Sequence, residues 1–233
     1  MKTIGVVGAN GFVGKALCRA AKNYEYEMFK ITRENCDEHK SLEYDILINT
    51  AMPSKRFWAL NNPVDDVSAT IVKTAELFYE WRYKKFIQIS SLSAKIQLDM
   101  PYGIHKKCAE VLVENKQNTL IVRLGALYGN GLDKSALFDL VNHNHIYVDI
   151  NSEYNYIDID FVANWIINNL DETGIKEIGA HDTISLLEIS KGIWENPSYE
   201  SRFEKIYSDE VEDGMPSSKE VLKYIDKMKR SIR

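Results

Sequence analysis

Cysteine is scarce in this chain. Its 233 residues include three, Cys18, Cys36 and Cys108. The number is odd and the spacing is not that of a metal site, which excludes a disulfide framework and a zinc ribbon and points to free thiols in a reducing compartment. No apolar run is long enough to cross a bilayer as a helix, so a membrane partner is not expected. An excess of positive charge is missing as well. The 29 Lys and Arg against 34 Asp and Glu give a formal net charge of -5, which argues against a nucleic-acid partner. Repeats and low-complexity segments are absent. His143 and His145 flank Asn144 with no carboxylate or cysteine to complete a ligand set, so no metal is expected. The chain opens directly on a core-strand pattern, so no signal peptide is expected and the cytoplasm is the expected location. What remains is ordinary core-forming material, with 45% hydrophobic residues.

The first fourteen residues carry the strongest signal. Thr3-Ile4-Gly5-Val6-Val7 reads as a short buried strand. Gly8-Ala9-Asn10-Gly11-Phe12-Val13-Gly14 follows, and Lys15 to Ala21 continues as a helix. A strand, a glycine turn and a helix N-terminus form a cradle in which backbone N–H groups and the helix dipole face an anion. Glycines are needed because a Cβ would block the turn or the approach of a pyrophosphate. This placement makes Gly8, Asn10, Gly11, Phe12, Val13 and Gly14 candidates for holding a dinucleotide.

Strand-like runs near 3–7, 27–32, 45–50, 85–89 and 119–124 alternate with helix-like runs near 12–22, 64–82, 101–116, 133–142, 159–170, 184–194 and 217–230. The alternation predicts an α/β fold with a Rossmann-like, doubly wound parallel sheet. Only Glu34 to Tyr44 separates the second strand from the third, too little for a crossover helix and another strand, so the sheet is expected to lack one edge strand. Residues 1–125 form the expected dinucleotide-binding lobe. Residues 126–233 form a small, interleaved substrate lobe closing a cleft over the strand ends. The locally basic run Lys219 to Arg233 has its apolar residues at helical spacing and predicts an amphipathic helix.

Tyr102-Gly103-Ile104-His105-Lys106 is the sharpest chemical signal. Tyr and Lys four residues apart share a helix face. The Lys106 ammonium is expected to lower the Tyr102 phenol from its usual value near ~10, so that the phenol can exchange a proton with a substrate oxygen. Upstream, Phe86 to Ser91 is a buried strand ending in hydroxyls, where such sheets present active sites, and Ser91 is placed to bind the same oxygen. His105 falls on another helix face and is expected to be a bystander. Lys55 and Arg56 either lie in a solvated loop or attract a phosphorylated substrate.

These segments resemble, in order, the extended short-chain dehydrogenases/reductases, the group of nucleotide-sugar epimerases, dehydratases and keto-reductases. The resemblance also takes in Asp45 to Ala51, Arg123-Leu124-Gly125-Ala126-Leu127-Tyr128-Gly129 and Tyr156 to Ala163. It implies Ser91, Tyr102 and Lys106 as the catalytic set, with Tyr102 and Lys106 also touching the cofactor. Ser93 and Arg123 are implied as further substrate contacts, and a homodimer as the assembly. Leu92-Ser93 replaces the family's acidic dipeptide, which disfavours a dehydratase. Ala126 replaces an Asn, the loop from Ser91 to Tyr102 is short, and Asp66 stands where the family has an Asn on the central helix. The implied activity is reduction of a carbonyl on a sugar-type, nucleotide-activated small molecule. Epimerisation, or cofactor sensing without turnover, are the alternatives.

The end of the second strand, Lys30-Ile31-Thr32-Arg33, bears on cofactor choice. Thr32 and Arg33 stand where the adenosine ribose is read, with Ala51 at the end of the third strand completing the set. A guanidinium there accepts a 2′-phosphate, and no carboxylate precedes Glu34, so NADP is expected with NAD possible.

Overall fold

The computed structural model describes residues 1–191 and 193–232. Strands β1 (Lys2–Val7), β2 (Tyr26–Ile31), β3 (Glu43–Asn49), β4 (Arg82–Ser91) and β5 (Thr119–Leu124) lie in the order β2-β1-β3-β4-β5, and Gly174–Ile178 extends the sheet beyond β5. The first five pair in parallel. In β1, β3, β4 and β5 runs of consecutive residues are buried because both faces are covered, as parallel sheets require, whereas the edge strand β2 leaves Glu27 and Lys30 exposed. Every residue of β5 is buried, as is each residue of β4 from Lys85 to Ser90. The register aligns the carboxyl ends. Val7 stands opposite both Ile31 and Asn49, and Asn49 opposite Gln88. Candidate functional residues therefore collect at one end of the sheet.

Helix α1 (Phe12–Ala20) follows β1. Between β2 and β3 only α2 (Cys36–Lys40) fits, and β3 returns directly to the other side of β1. Among the described residues β2 is thus an edge, and the sheet lacks the third strand of a complete Rossmann half, as the short Glu34–Tyr44 segment requires. Helices α3 (Arg56–Asn61), α4 (Pro63–Val67) and α5 (Lys73–Glu80) lead to β4, with a π-helical stretch, Ser68–Val72, between the last two. The single helix expected over 64–82 is therefore interrupted, and it stops at Glu80 because Trp81 is already extended. Three short helices escaped the periodicity, α2, α3 and α6 (Ser93–Ile96), each too brief to show a repeat. Helix α7 (Pro101–Glu114) precedes β5. A cluster of Val7, Ile31, Tyr44, Leu47, Leu77, Phe78, Trp81, Phe86, Val113 and Ile121 joins β1–β5 to α5 and α7. The outer strand Gly174–Ile178 was not anticipated, because Lys176 and Glu177 break its apolar character.

The chain separates into two compact units. One is Met1–Leu124 with Ala163–Lys176; the other is Gly125–Val162 with the residues from Glu177 on. In the second, Glu153–Tyr154 lies between Ile184–Ser185 and Lys205–Ile206, and Leu127–Tyr128 pairs in parallel with Ile157–Asp158. The helix expected over 184–194 is confined to Leu186–Ser190, since the Ser185 hydroxyl caps it by accepting from Glu188 N–H at 3.0 Å. Gly192, within the expected span, lies outside the described residues. The C-terminal amphipathic helix runs Glu220–Ile232 and buries Val221 and Ile225. Arg233 lies outside the described residues.

Candidate active site

The glycine turn is tied to the end of β2. Gly8 N–H and Ala9 N–H donate to the Ile31 carbonyl at 2.9 and 3.2 Å, and Gly11 N–H donates back to Gly8 O at 2.9 Å. Gly8 has φ +82°, and a Cβ there would lie 2.8 Å from the Ala51 Cα. A Cβ on Gly14 would lie 2.4 Å from Gly8 O. Both positions need glycine because neighbouring backbone fills the space. The N-cap of α1 is Gly11, so no side chain caps the helix. Its first-turn N–H groups and positive dipole end are left for an anion, beside the exposed Asn10 and the half-buried Phe12 and Val13. A dinucleotide pyrophosphate fits this chemistry. The turn after β3 is held in turn by Ala51 N–H donating to Asn49 Oδ1 at 3.1 Å and by the Thr50 hydroxyl donating to Val7 O at 2.7 Å.

After β2, Asn35 organises the next turn. Its Oδ1 accepts from Thr32 N–H at 2.7 Å and its Nδ2 donates to Lys30 O at 3.0 Å. Arg33 and Glu34 are exposed here. A hydrogen bond from the Thr32 side chain holds the Glu34 carboxyl below its ordinary range, with Arg33 acting in the same direction.

Strand β4 delivers Ser91 and α7 delivers Tyr102 and Lys106. Pro101 starts α7, where its missing N–H costs nothing. Tyr102 and Lys106 are 7% and 4% exposed, and the ammonium lies 5.3 Å from the phenol ring centroid. The Ser91 hydroxyl hydrogen-bonds the Tyr102 phenol, and Ser91 Oγ accepts from Ser93 N–H at 3.2 Å. Gly103 allows this seating. A Cβ there would sit 2.1 Å from Gln97 O and 2.6 Å from Ser93 O, so α7 can approach α6 this closely only without one.

The electrostatics correct one expectation. Burial pushes the Tyr102 phenol up, and the groups that oppose it are Arg56 and the Ser91 hydrogen bond. Burial also drives Lys106 down to about 7, against the pull of Asp66 and Glu110. Desolvation outweighs pairing for both groups, so Lys106 does not bring Tyr102 below its usual value in the cofactor-free chain.

Two implied substrate contacts are engaged within the fold. Ser93 is buried and donates to Gln97 Oε1 at 2.7 Å. Arg123 is buried on β5 and donates to Glu110 from Nε at 3.0 Å and from Nη2 at 2.7 Å, while Ser90 donates to Glu110 Oε1 at 2.7 Å. His105, expected to face away from the pair, is engaged within the fold. Its Nδ1 lies 2.6 Å from Asp66 Oδ2, and both residues are buried. That pair links positions 39 apart in the sequence, so no spacing announced it. Arg56, left open in the sequence between a solvated loop and a contact for a phosphorylated substrate, is among the groups that oppose the rise of the Tyr102 phenol, and the part played by Gly103 in seating α7 was not read from the motif.

Residues 4–148 match the model of the NAD dependent epimerase/dehydratase family. No curated protein sequence matches the chain. Among solved structures, the fold is similar to that of a UDP-glucose 4-epimerase with UDP-glucose from Thermotoga maritima, at 16% identity and a TM-score of 0.79 over 99% of this chain and 100% of that one. It is similar to a dTDP-4-dehydrorhamnose reductase in complex with NADP from Bacillus anthracis, at 17% identity and a TM-score of 0.79 over 97% and 98%. A UDP-glucuronic acid 4-epimerase from Bacillus cereus, in complex with UDP-glucuronic acid and NAD, gives 19% identity and a TM-score of 0.77 over 97% and 99%.

Proposed function

The chain belongs to the NAD-dependent epimerase/dehydratase family, and from that premise we propose that it reduces a carbonyl of a nucleotide-activated sugar with NADPH. The observation that carries the reading is the meeting of the Ser91 hydroxyl, the Tyr102 phenol and Lys106 at the end of β4 that lies beside the glycine turn's end of the sheet. Ser91 orients the substrate carbonyl oxygen. Tyr102 donates its proton to that oxygen. When bound, NADPH supplies the hydride that the carbonyl carbon takes up, so C=O becomes CH–OH. Lys106 stands behind Tyr102 to restore the phenol proton.

Gly8, Asn10, Gly11, Phe12, Val13 and Gly14 would hold the pyrophosphate, Ala51 would back the turn, and Thr32 and Arg33 would receive the adenosine ribose. Preference for NADP follows from the exposed Arg33 guanidinium, with Glu34 already accepting from Thr32. We assign recognition of the rest of the substrate to the second unit. A homodimer and a cytoplasmic setting belong to the same reading. Among the described residues no helix is long and apolar enough to cross a membrane.

Two of the three solved relatives above are 4-epimerases, which favours epimerisation through a retained cofactor as the second reading. A 4-keto nucleotide sugar incubated with the protein and NADPH separates the cases. Stoichiometric NADPH oxidation supports the reductase. Interconversion of epimers without added cofactor replaces it with the epimerase, and cofactor binding with no turnover on any sugar nucleotide replaces both with a sensor.

A further inference from the structure

Strand β4 carries one amide, Gln88, in the apolar stretch Phe86-Ile87-Gln88-Ile89, and that side chain is fully buried. A buried amide is costly unless its polar ends find partners. Gln88 finds them on a neighbouring strand and on a turn. Its Oε1 accepts from Asn49 Nδ2 at 3.1 Å, and its Nε2 donates to Met52 Sδ at 3.0 Å. Asn49 is 1% exposed and stands opposite Gln88 at the end of β3. Met52 is half-buried in the turn that follows.

The direction of these bonds is set by a backbone donor. Ala51 N–H donates to Asn49 Oδ1 at 3.1 Å, so the oxygen of that amide faces Ala51 and its nitrogen faces away. Asn49 Nδ2 is then shared between Gln88 Oε1 and Thr74 Oγ1 on α5, the latter at 3.3 Å. Gln88 must present its oxygen to Asn49, which turns its NH2 toward the Met52 sulfur, a weak acceptor. One line of hydrogen bonds thus leads from Gln88 through Asn49 to Ala51, and another from Gln88 to Met52. Thr50, between them, donates its hydroxyl to Val7 O at 2.7 Å and lies 3.2 Å from Gly8 O. The turn is in direct contact with the glycine turn, since a Cβ on Gly8 would lie 2.8 Å from Ala51 Cα and 2.9 Å from Ala51 N.

We infer that Gln88 is a positioning residue for the dinucleotide: through Asn49 and Met52 it holds Ala51 against Gly8 and so fixes the wall behind the glycine turn. An apolar residue like its neighbours on β4 would be buried equally well, but it would leave Met52 untied and Asn49 anchored by Thr74 alone. The amide therefore serves the turn rather than the core. The inference rests on the reading of the glycine turn as a dinucleotide site only for its consequence in binding; the hold on Ala51 and Met52 stands on its own.

The test is Gln88→Met, which keeps the side chain's length and removes both hydrogen bonds, while Asn49 Nδ2 retains Thr74. Hydrogen–deuterium exchange of the cofactor-free protein, read by mass spectrometry, should quicken in a peptide covering Thr50–Met52 and stay unchanged in one covering β5. NADPH titration by fluorescence, at a temperature where circular dichroism shows wild type and variant folded, should give a dissociation constant raised roughly 3- to 10-fold, the equivalent of one ordinary hydrogen bond. The KM for NADPH should rise with it, with a much smaller change in kcat. A residue that only stabilised the fold would lower the melting temperature and leave the affinity of the folded protein where it was. Should Gln88→Met not fold, Met52→Leu removes the sulfur instead and carries the same expectations at the low end of that range. Unchanged exchange at Thr50–Met52, or exchange that quickens equally in β5, overturns the hold of Gln88 on the turn. Faster local exchange with an unchanged NADPH dissociation constant overturns its positioning role. If local exchange quickens while the wild type binds neither NADPH nor NADH, the hold is upheld and the dinucleotide reading is the part that fails.

Discussion

Replacing Arg123 with Met should destabilise the protein far more than it disturbs substrate binding. The Glu110 carboxylate is fully buried and accepts from Arg123 Nε at 3.0 Å and Nη2 at 2.7 Å. In Arg123→Met its close partners would be the Ser90 hydroxyl at 2.7 Å and the more distant Lys107 ammonium at 3.6 Å. Breaking a buried ion pair from one side costs about 3–5 kcal/mol because a charge is left uncompensated. Two hydrogen bonds to charged groups, at about 1.5–3 kcal/mol each, give about 3–6 kcal/mol, an overlapping range. For a chain of this size, at about 2–4 °C per kcal/mol, the melting temperature should fall by roughly 6–20 °C. Urea unfolding followed by circular dichroism measures the loss directly. The double variant Arg123→Met with Glu110→Leu should recover most of it, since the cost lies in the stranded charge. A loss below about 1 kcal/mol in the single variant, or a double variant no better than the single, would refute this reasoning. A raised KM with unchanged stability would return Arg123 to the substrate contact that the family resemblance implies.

Three further outcomes follow from the same geometry. Arg33→Ala should weaken NADPH binding by roughly 10- to 150-fold, the equivalent of one charge-assisted contact, with NADH much less affected; equal losses for both in a binding titration would remove the case for NADP. Gly103→Ala places a methyl against Gln97 O and Ser93 O, so it should cost about 1–3 kcal/mol of stability by denaturation and lower kcat by moving Tyr102 off Ser91. Lys106 goes from an ordinary 10.5 to about 7 on folding, so between these values the unfolded chain binds more protons than the folded one. Its contribution to stability therefore rises with pH across that window, and Lys106→Met should flatten the rise seen in unfolding curves from pH 7 to 10.

Much of this was legible from residue order alone. Strands β1, β3, β4 and β5 carry apolar runs because parallel strands are buried on both faces, and Glu34–Tyr44 is short enough to exclude another strand. Gly8 and Gly14 announce a turn whose neighbours leave no room for a Cβ. What could not be read is what depends on contacts between distant segments. Asp66 meets His105 only because α4 packs on α7. Arg123 meets Glu110 across a strand and a helix, where a sequence pattern shows only an arginine after a strand. Burial also sets the sign of the Tyr102 and Lys106 shifts, and spacing on one helix face carries no information about desolvation. Helices α2, α3 and α6 span less than two turns, too few for a repeat to be recognised.

The most direct measurement of the central claim is NADPH oxidation at 340 nm with a 4-keto nucleotide sugar, comparing the wild-type chain with Tyr102→Phe at equal, demonstrated cofactor saturation. One NADPH should be consumed per hydroxyl formed by the wild type, and Tyr102→Phe should lose turnover with cofactor affinity nearly unchanged. Turnover that survives in Tyr102→Phe would contradict it.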